Sequence, residues 1–322
     1  MLQGHHVSRF EWDVVVLGGG SAGLSAALML GRARRKVLVL DAGAPRNRFA
    51  AHMHGVLGHD GKPPLELLAV GRAEVEAHGG AIWDTPAVTT RHEGDGFAVE
   101  TDDSRTVLAR ALLVATGASD ELPDVDGLAE RWGSGVAACP YCDGYEVRDR
   151  RIGILATGPG SIFQAQLLRQ WSDQIIYLAH DTDAPTGEDQ AAFDARGIQI
   201  EDGRVTRVLS RGDQLSGVEF DDGRTIELDA IFTAPRLIPQ DAALRQLEVE
   251  RTEHPWGSFA TVDPSGRTSV DGVWAAGNVV NAMANVPVSI GTAALAAGAV
   301  NHALVLDDVR LALRGSAKAE TR

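Results

Sequence analysis

An α/β protein of two domains is predicted by three observations. The chain of 322 residues is too long for one ordinary core. Residues 12–41 read as strand, glycine-rich turn, helix and strand. A weaker copy of that unit begins at Arg151, and two such units point to two related domains.

In the first unit, the apolar run from Trp12 to Leu17 leads into Gly18-Gly-Gly-Ser-Ala-Gly23, and an Ala/Leu-rich helix follows to about Arg35. A second strand, Lys36 to Asp41, closes it. This is the setting that a dinucleotide-binding fingerprint requires. Gly18 permits the tight turn, Gly20 lets the backbone approach a pyrophosphate, and Gly23 lets helix and strand pack closely. The helix start at Ser21 and Ala22 supplies oriented N–H groups for phosphate. Asp41, 23 residues after Gly18, is placed to accept from ribose hydroxyls.

In the second unit, Ile152–Leu155 is the strand, Ala156-Thr-Gly-Pro-Gly-Ser161 the turn, Ile162 to Trp171 the helix, and Ile175–Leu178 the next strand. Short strands separated by Gly94-Asp-Gly96 and Asp221-Asp-Gly223 turns are expected around the two units. Residues 313–322, polar and small, read as a frayed, flexible tail.

Hydrophobic content of 44% and charged content of 23% are those of a globular protein. A formal charge of −14 argues against nucleic acid or an anionic membrane as partner. No stretch reads as approaching the ~20 apolar residues of a membrane span. The N-terminal segment lacks the apolar middle of a secretory leader, so a cytoplasmic address is expected. Small molecules, or a protein with a basic patch, remain as partners.

The two cysteines form one C-x-x-C, Cys139-Pro-Tyr-Cys142. Two intervening residues bring the sulfurs into bonding range, and a helix start there stabilises a thiolate. A zinc site needs about four ligands, and no second Cys pair or close His pair accompanies this one, so no metal is expected. A structural disulfide is disfavoured in a reducing compartment. The tetrapeptide is glutaredoxin-like, but glutaredoxins carry it near the start of a small domain with no such fingerprint.

In this order, the fingerprint, Ala115-Thr116-Gly117, Cys139-Pro-Tyr-Cys142-Asp143-Gly, the second unit, Asp271-Gly-Val-Trp-Ala-Ala-Gly277 and a small-residue helix around Gly291 to Leu304 resemble the thioredoxin reductase family of flavoproteins, low-molecular-weight type. The resemblance spans nearly the whole chain. It implies FAD as cofactor and two Rossmann-like, three-layer ββα domains, the second inserted into the first. The FAD domain would be residues 10–121 plus 241–312, and the cysteine-bearing, degenerate nicotinamide-type domain residues 122–240. Cofactor contacts implied are Gly18, Gly20, Ser21, Ala22, Gly23, Asp41, Arg46, Asn47, His54, Val88, Ala115, Thr116, Gly117, Gly277, Asn278, Asn285 and Val286. The family usually has aspartate where this chain has Asn278. Asn285 and Val286 would present N–H groups to the flavin N1–C2=O edge, where a helix dipole stabilises the anionic reduced ring. Cys142 would face the flavin at C4a, Cys139 would exchange with substrate, and Asp143 would move the proton. A homodimer is also implied.

Departures from the family concentrate in the second unit. Its turn has glycine only at the middle fingerprint position, Gly158; Ala156 adds a methyl where the turn is tight, and Pro159 lacks an N–H. Where NADPH-dependent members carry His-Arg-Arg for the 2′-phosphate, this chain reads Ala179-His-Asp-Thr-Asp183. NADPH is therefore disfavoured and NADH is expected to be weak. These features, with Arg46-Asn47-Arg48-Phe49 and His52-Met-His54-Gly55, resemble the gliotoxin- and holomycin-type FAD dithiol oxidases. Those oxidases use a histidine base, for which His52, His54 and His254 are candidates, whereas Asp143 follows the thioredoxin reductase pattern. Three activities stay open: oxygen-dependent oxidation of a small dithiol, thioredoxin-type disulfide reduction driven by NAD(P)H or ferredoxin, and a flavin-binding redox sensor without turnover.

Overall fold

The computed structural model describes residues 10–320. The N-terminal segment tested above for a leader falls mostly on residues 1–9, outside the described residues. The chain divides into two compact units. One comprises the chain up to Arg46, Leu65–Ser119 and Leu237 onward; the other comprises Asn47–Pro64 and Asp120–Arg236.

The first unit is built on a sheet whose order is Ala81–Trp83, Val37–Leu40, Trp12–Leu17, Thr106–Val114, Gly96–Thr101 and Ala87–Glu93. The first four strands pair in parallel, and Val273–Ala275 adds a parallel partner to the end of Thr106–Val114. The remaining two continue that long strand as an antiparallel meander. Strands such as Val14–Leu17 and Val37–Leu40 are apolar at every position because both faces are covered. On one face lies the fingerprint helix, Ser21–Arg32, packed against the C-terminal helix, Val286–Glu320. Ala22, Ala26 and Ala27 share a buried cluster with Ala293, Ala296 and Ala297, and such small side chains let two helices approach closely.

The second unit repeats the plan. Gln199–Glu201, Ile175–Leu178, Ile152–Leu155, Ala230–Thr233 and Val136–Ala137 form a parallel sheet in that order. Val205–Arg211, Gln214–Phe220 and Thr225–Glu227 form the antiparallel meander. Both expected glycine turns are hairpin turns, at 94–95 and 221–224. The fold is therefore α/β with two Rossmann-like domains.

Three expectations need revision. The boundary drawn from the resemblance placed residues 47–64 in the first domain, but here they cluster with the second. Met53 and Lys62 bridge to close this loop, and His54 reaches Glu146. The segment expected to fray is instead helical to Glu320, since Leu313, Ala317 and Lys318 are good helix formers and only Gly315 opposes them; residues 321–322 lie outside the described residues. Finally, Val286–Ser316 is long and apolar enough to cross a membrane by length and composition, contrary to the sequence reading. Its Ala293, Ala296, Ala297, Val300 and Leu304 are core residues of the first unit, as in a helix that packs on a sheet.

Candidate functional site

The fingerprint turn is shaped by close backbone contacts. Gly18 adopts φ +102°, and a Cβ there would lie 2.5 Å from the Ala115 carbonyl oxygen. A Cβ on Gly23 would lie 1.8 Å from the Gly18 carbonyl oxygen, so only glycine lets the helix start against the turn. A Cβ on Gly20 would meet nothing within 4 Å, which leaves the turn open on the side where the helix begins. Glycine is thus used twice for packing and once for access. Ser21 and Ala22 open the helix, with no side-chain cap and no acidic residue in its first turn. No carboxylate of the helix's own first turn competes for its N–H dipoles.

Asp41 closes the cradle. Its Oδ1 accepts from Gly19 N and Gly43 N, each at 3.1 Å, and its Oδ2 accepts from Arg72 Nη1 at 3.0 Å. Oδ2 retains a lone pair for a hydroxyl donor. Arg72, which also pairs with Asp84, was not singled out from the sequence. Nothing distinguishes it there from the other surface arginines.

Ala115-Thr116-Gly117 follows the long central strand. Gly117 adopts φ +71°, and its carbonyl accepts from Gln240 N, while Thr116 Oγ1 donates to the Gln240 carbonyl. Gly277, at φ +79°, starts a short turn whose Cβ position lies 3.0 Å from Ala22 Cβ. Asn285 caps the C-terminal helix, its Oδ1 accepting from Val288 N at 3.2 Å. Because Pro287 has no N–H, Val286 supplies the remaining donor of the first turn. Val88 lies on the outermost strand of the meander, three strands from Trp12–Leu17, with its carbonyl accepting from Gln246 Nε2.

In the second unit, Cys139 and Cys142 form a disulfide with Cα atoms 5.2 Å apart. The expected helix start is a single turn, Pro140–Asp143, in which Cys142 N and Asp143 N both donate to the Cys139 carbonyl. Gly144 follows because a Cβ would lie 2.5 Å from the Pro140 oxygen and 3.0 Å from the Trp171 ring. Buried Gln164 donates to the Ala138 carbonyl at 2.8 Å and so holds the residue before Cys139. Burial, reinforced by the negative charge of Glu146 and opposed by His54, pushes the Asp143 carboxyl up to about 6.

His54, implied above to contact the cofactor, has other partners here. Its Nε2 lies 3.5 Å from Glu146 and its Nδ1 3.6 Å from Asp60, whose carboxylate also accepts from Gly55 N. Of the three candidate histidines, it is the one brought to Asp143. His52 is exposed in the same loop, and His254 stacks on Trp256 in a hairpin of the first unit. Arg46 and Asn47 span the point where the chain passes from the first unit to the second. Glu146 and Asp60 were missed in the sequence, where each is an ordinary surface acid. In the same unit Tyr141, Phe163, Trp171, Gln170 and Arg196 line an open groove of about 580 Å³, with neither cysteine among its lining residues.

The second turn is partly closed by its own side chain and partly open, since a Cβ on Gly158 or Gly160 would meet nothing within 4 Å. Thr157 N donates to buried Ser161 Oγ at 3.0 Å, and Pro159 has no N–H to offer. Ala156 is not the obstacle expected, because its methyl is fully buried in the core of this unit. At the following strand end, His180 is buried and accepts from Val205 N. Burial holds its imidazole below the usual range. Asp181 pairs with Arg204 at 3.4 Å, so the carboxylate is less bare than the sequence suggested.

A family model described as pyridine nucleotide-disulphide oxidoreductase matches residues 12–294, from the first strand of the fingerprint into the C-terminal helix. The chain belongs to that family. This oxidoreductase is 30% identical over 306 residues to thioredoxin reductase tcpT of Claviceps purpurea (strain 20.1), covering 92% of this chain and 95% of that one. It is 29% identical to thioredoxin reductase sirT of Leptosphaeria maculans, covering 90% and 93%. Among solved structures, HlmI aligns with a TM-score of 0.91 at 43% identity, covering 96% of this chain and 97% of HlmI. The oxidoreductase is a thioredoxin-reductase-like disulfide oxidoreductase with FAD as its cofactor. The open space over Gly20, the uncapped helix start and the Asp41 carboxylate at the strand end fit a flavin dinucleotide.

Proposed function

We propose that the protein is an FAD-dependent dithiol oxidase, in which a small dithiol reduces the Cys139–Cys142 disulfide and oxygen is the final acceptor. Gly18, Gly20, Ser21, Ala22, Gly23 and Asp41 would hold the dinucleotide, with Ala115–Gly117, Gly277, Asn278, Asn285 and Val286 around the flavin portion. FAD, when bound, supplies the two-electron acceptor for the reduced cysteine pair. The single observation carrying the reading is the second turn. Thr157 N–H is committed to Ser161, Pro159 lacks an N–H, and Asp181 stands where an arginine grips phosphate. This turn therefore offers fewer donors to NADPH than the first offers to its dinucleotide, although Gly158 and Gly160 leave it open. The names of the matched relatives favour the other direction, disulfide reduction of a thioredoxin-type partner by NAD(P)H.

In the forward reaction, one substrate thiolate attacks Cys139, and the Cys139–Cys142 bond breaks. The second substrate thiolate attacks the mixed disulfide, leaving a substrate disulfide and two enzyme thiols. Two electrons and two protons have passed to the enzyme, and oxygen finally takes them as hydrogen peroxide. Asp143 takes the proton of an attacking thiol as carboxylate and returns it to a leaving sulfur as acid. A pKa of about 6 suits both roles. Exposed Leu295, Val305, Leu306, Val309, Leu311 and Leu313 on the C-terminal helix support a homodimer.

The deciding experiment is an anaerobic visible titration with NADPH, NADH and then dithiothreitol. Bleaching by the dithiol alone, with recovery in air, is expected; bleaching by near-stoichiometric nucleotide would refute the oxidase direction. The pH profile tests the proton path. Dithiol oxidation should rise as pH climbs through about 6, where Asp143 becomes a base. In Asp143→Asn that limb should vanish and the rate fall by roughly 10²-fold or more. His54→Gln removes the group that lowers the Asp143 pKa and should move the limb up; Glu146→Gln removes the like charge that raises it and should move the limb down. Shifts of the same sign in both variants would exclude this electrostatic coupling.

A further inference from the structure

We infer that Asn278 is a positioning residue whose side-chain amide ties the 281–285 turn, and that this turn requires a donor that aspartate lacks. Asn278 follows Gly277 in a short turn, Gly277–Val279, just after the last strand of the first unit. Its Nδ2 lies 2.8 Å from the Ala284 carbonyl, 3.1 Å from that of Asn281 and 3.4 Å from that of Ala282. Three carbonyl oxygens facing one group identify it as the NH₂ end of the amide, because an oxygen there would be repelled by all three. A neutral amide has two hydrogens for the two shorter bonds. An ionised aspartate only accepts.

Besides this amide, the turn is held by buried Ala284, by Ala282 against Leu237 and Phe259, and by a few hydrogen bonds. Backbone bonds run from Asn281 N to the Gly277 carbonyl and from Ala284 N to the Asn281 carbonyl, and Met283 N donates to Asn281 Oδ1. Met283 is 82% exposed, so packing does not hold the turn at its tip. The turn ends at Asn285, which caps the helix whose Val286 N–H is the remaining first-turn donor. Asn278 therefore sets the position of a helix start through the loop that precedes it. This reading rests on FAD binding and is independent of the direction of electron flow.

Hydrogen exchange of the Met283 and Ala284 amides, with flavin dissociation measured alongside, tests the inference. In Asn278→Asp and Asn278→Ala at neutral pH, both amides should exchange about tenfold faster, and flavin should bind more weakly. Asn278→Ser keeps one donor and should fall between these and the unsubstituted protein. Lowering the pH through the carboxylate range should slow exchange relative to the alanine variant only in Asn278→Asp, because the introduced carboxyl then carries an O–H donor. Should Asn278→Asp not fold, the alanine and serine variants carry the comparison. Wild-type exchange and unchanged flavin affinity in Asn278→Ala would overturn the inference, as would equal pH responses in the aspartate and alanine variants.

Discussion

Cys142→Ser is expected to give a folded, yellow protein whose flavin no dithiol bleaches, with turnover down at least roughly 10³-fold. Serine matches cysteine in shape, and the single turn that carries Cys142 is held by backbone bonds to the Cys139 carbonyl rather than by the sulfur. What the variant loses is the second sulfur. Without it no enzyme disulfide can form, so a substrate thiolate finds no sulfur–sulfur bond to attack and the lone Cys139 thiol cannot take up its electron pair. The proposed dinucleotide turn, Gly18 to Gly23, lies in the other unit, so colour should survive. Full dithiol turnover in this variant would show that electrons reach the flavin without the cysteine relay. Retained bleaching by a nucleotide but not by a dithiol would instead leave the relay intact and point to the reductase direction.

The second large effect separates two glycines three residues apart. Gly23→Ala should cost about 3 kcal/mol or more, because the added carbon would lie 1.8 Å from the Gly18 backbone oxygen and neither backbone can yield cheaply. Gly20→Leu should fold with near-normal stability, since its Cβ direction is open, yet emerge colourless. An affinity loss of at least about 100-fold, close to 3 kcal/mol, is expected for flavin. Thermal melts and the ratio of flavin to protein absorbance distinguish the two. Normal flavin occupancy in Gly20→Leu would move the cofactor away from this turn.

The same contrast shows what was legible in the sequence. Gly18, Gly20 and Gly23 announced a tight turn because their spacing sits between an apolar strand and an Ala-rich helix, and the strand Trp12–Leu17 begins and ends where that pattern does. Buried parallel strands are continuous apolar runs, so Ile152–Leu155 and Ile175–Leu178 were equally plain. The environment of the disulfide was only half legible. Asp143 is adjacent to Cys142 in the chain, but His54 and Glu146 meet through a loop closed by long-range contacts, and no local pattern encodes such a meeting. Asn278 could be seen to depart from its family, but not to point its amide at three carbonyls, because that depends on how the following turn folds. The tail was misjudged for a different reason: small polar residues suit a frayed end and a solvent-facing helix alike.

The disulfide closes a ring across a separation of only three residues. A cross-link stabilises a protein chiefly by depriving the denatured chain of freedom, and so small a ring removes little, about 2 kcal/mol against nearly 5 for a loop of a hundred residues. Opening and closing this bond therefore changes the depth of the native basin by about 2 kcal/mol, well short of what a long-range cross-link would take away. The reduced form should melt only a few degrees below the oxidised one. The redox cycle is in that sense mechanically modest, its cross-link confined to one turn of chain.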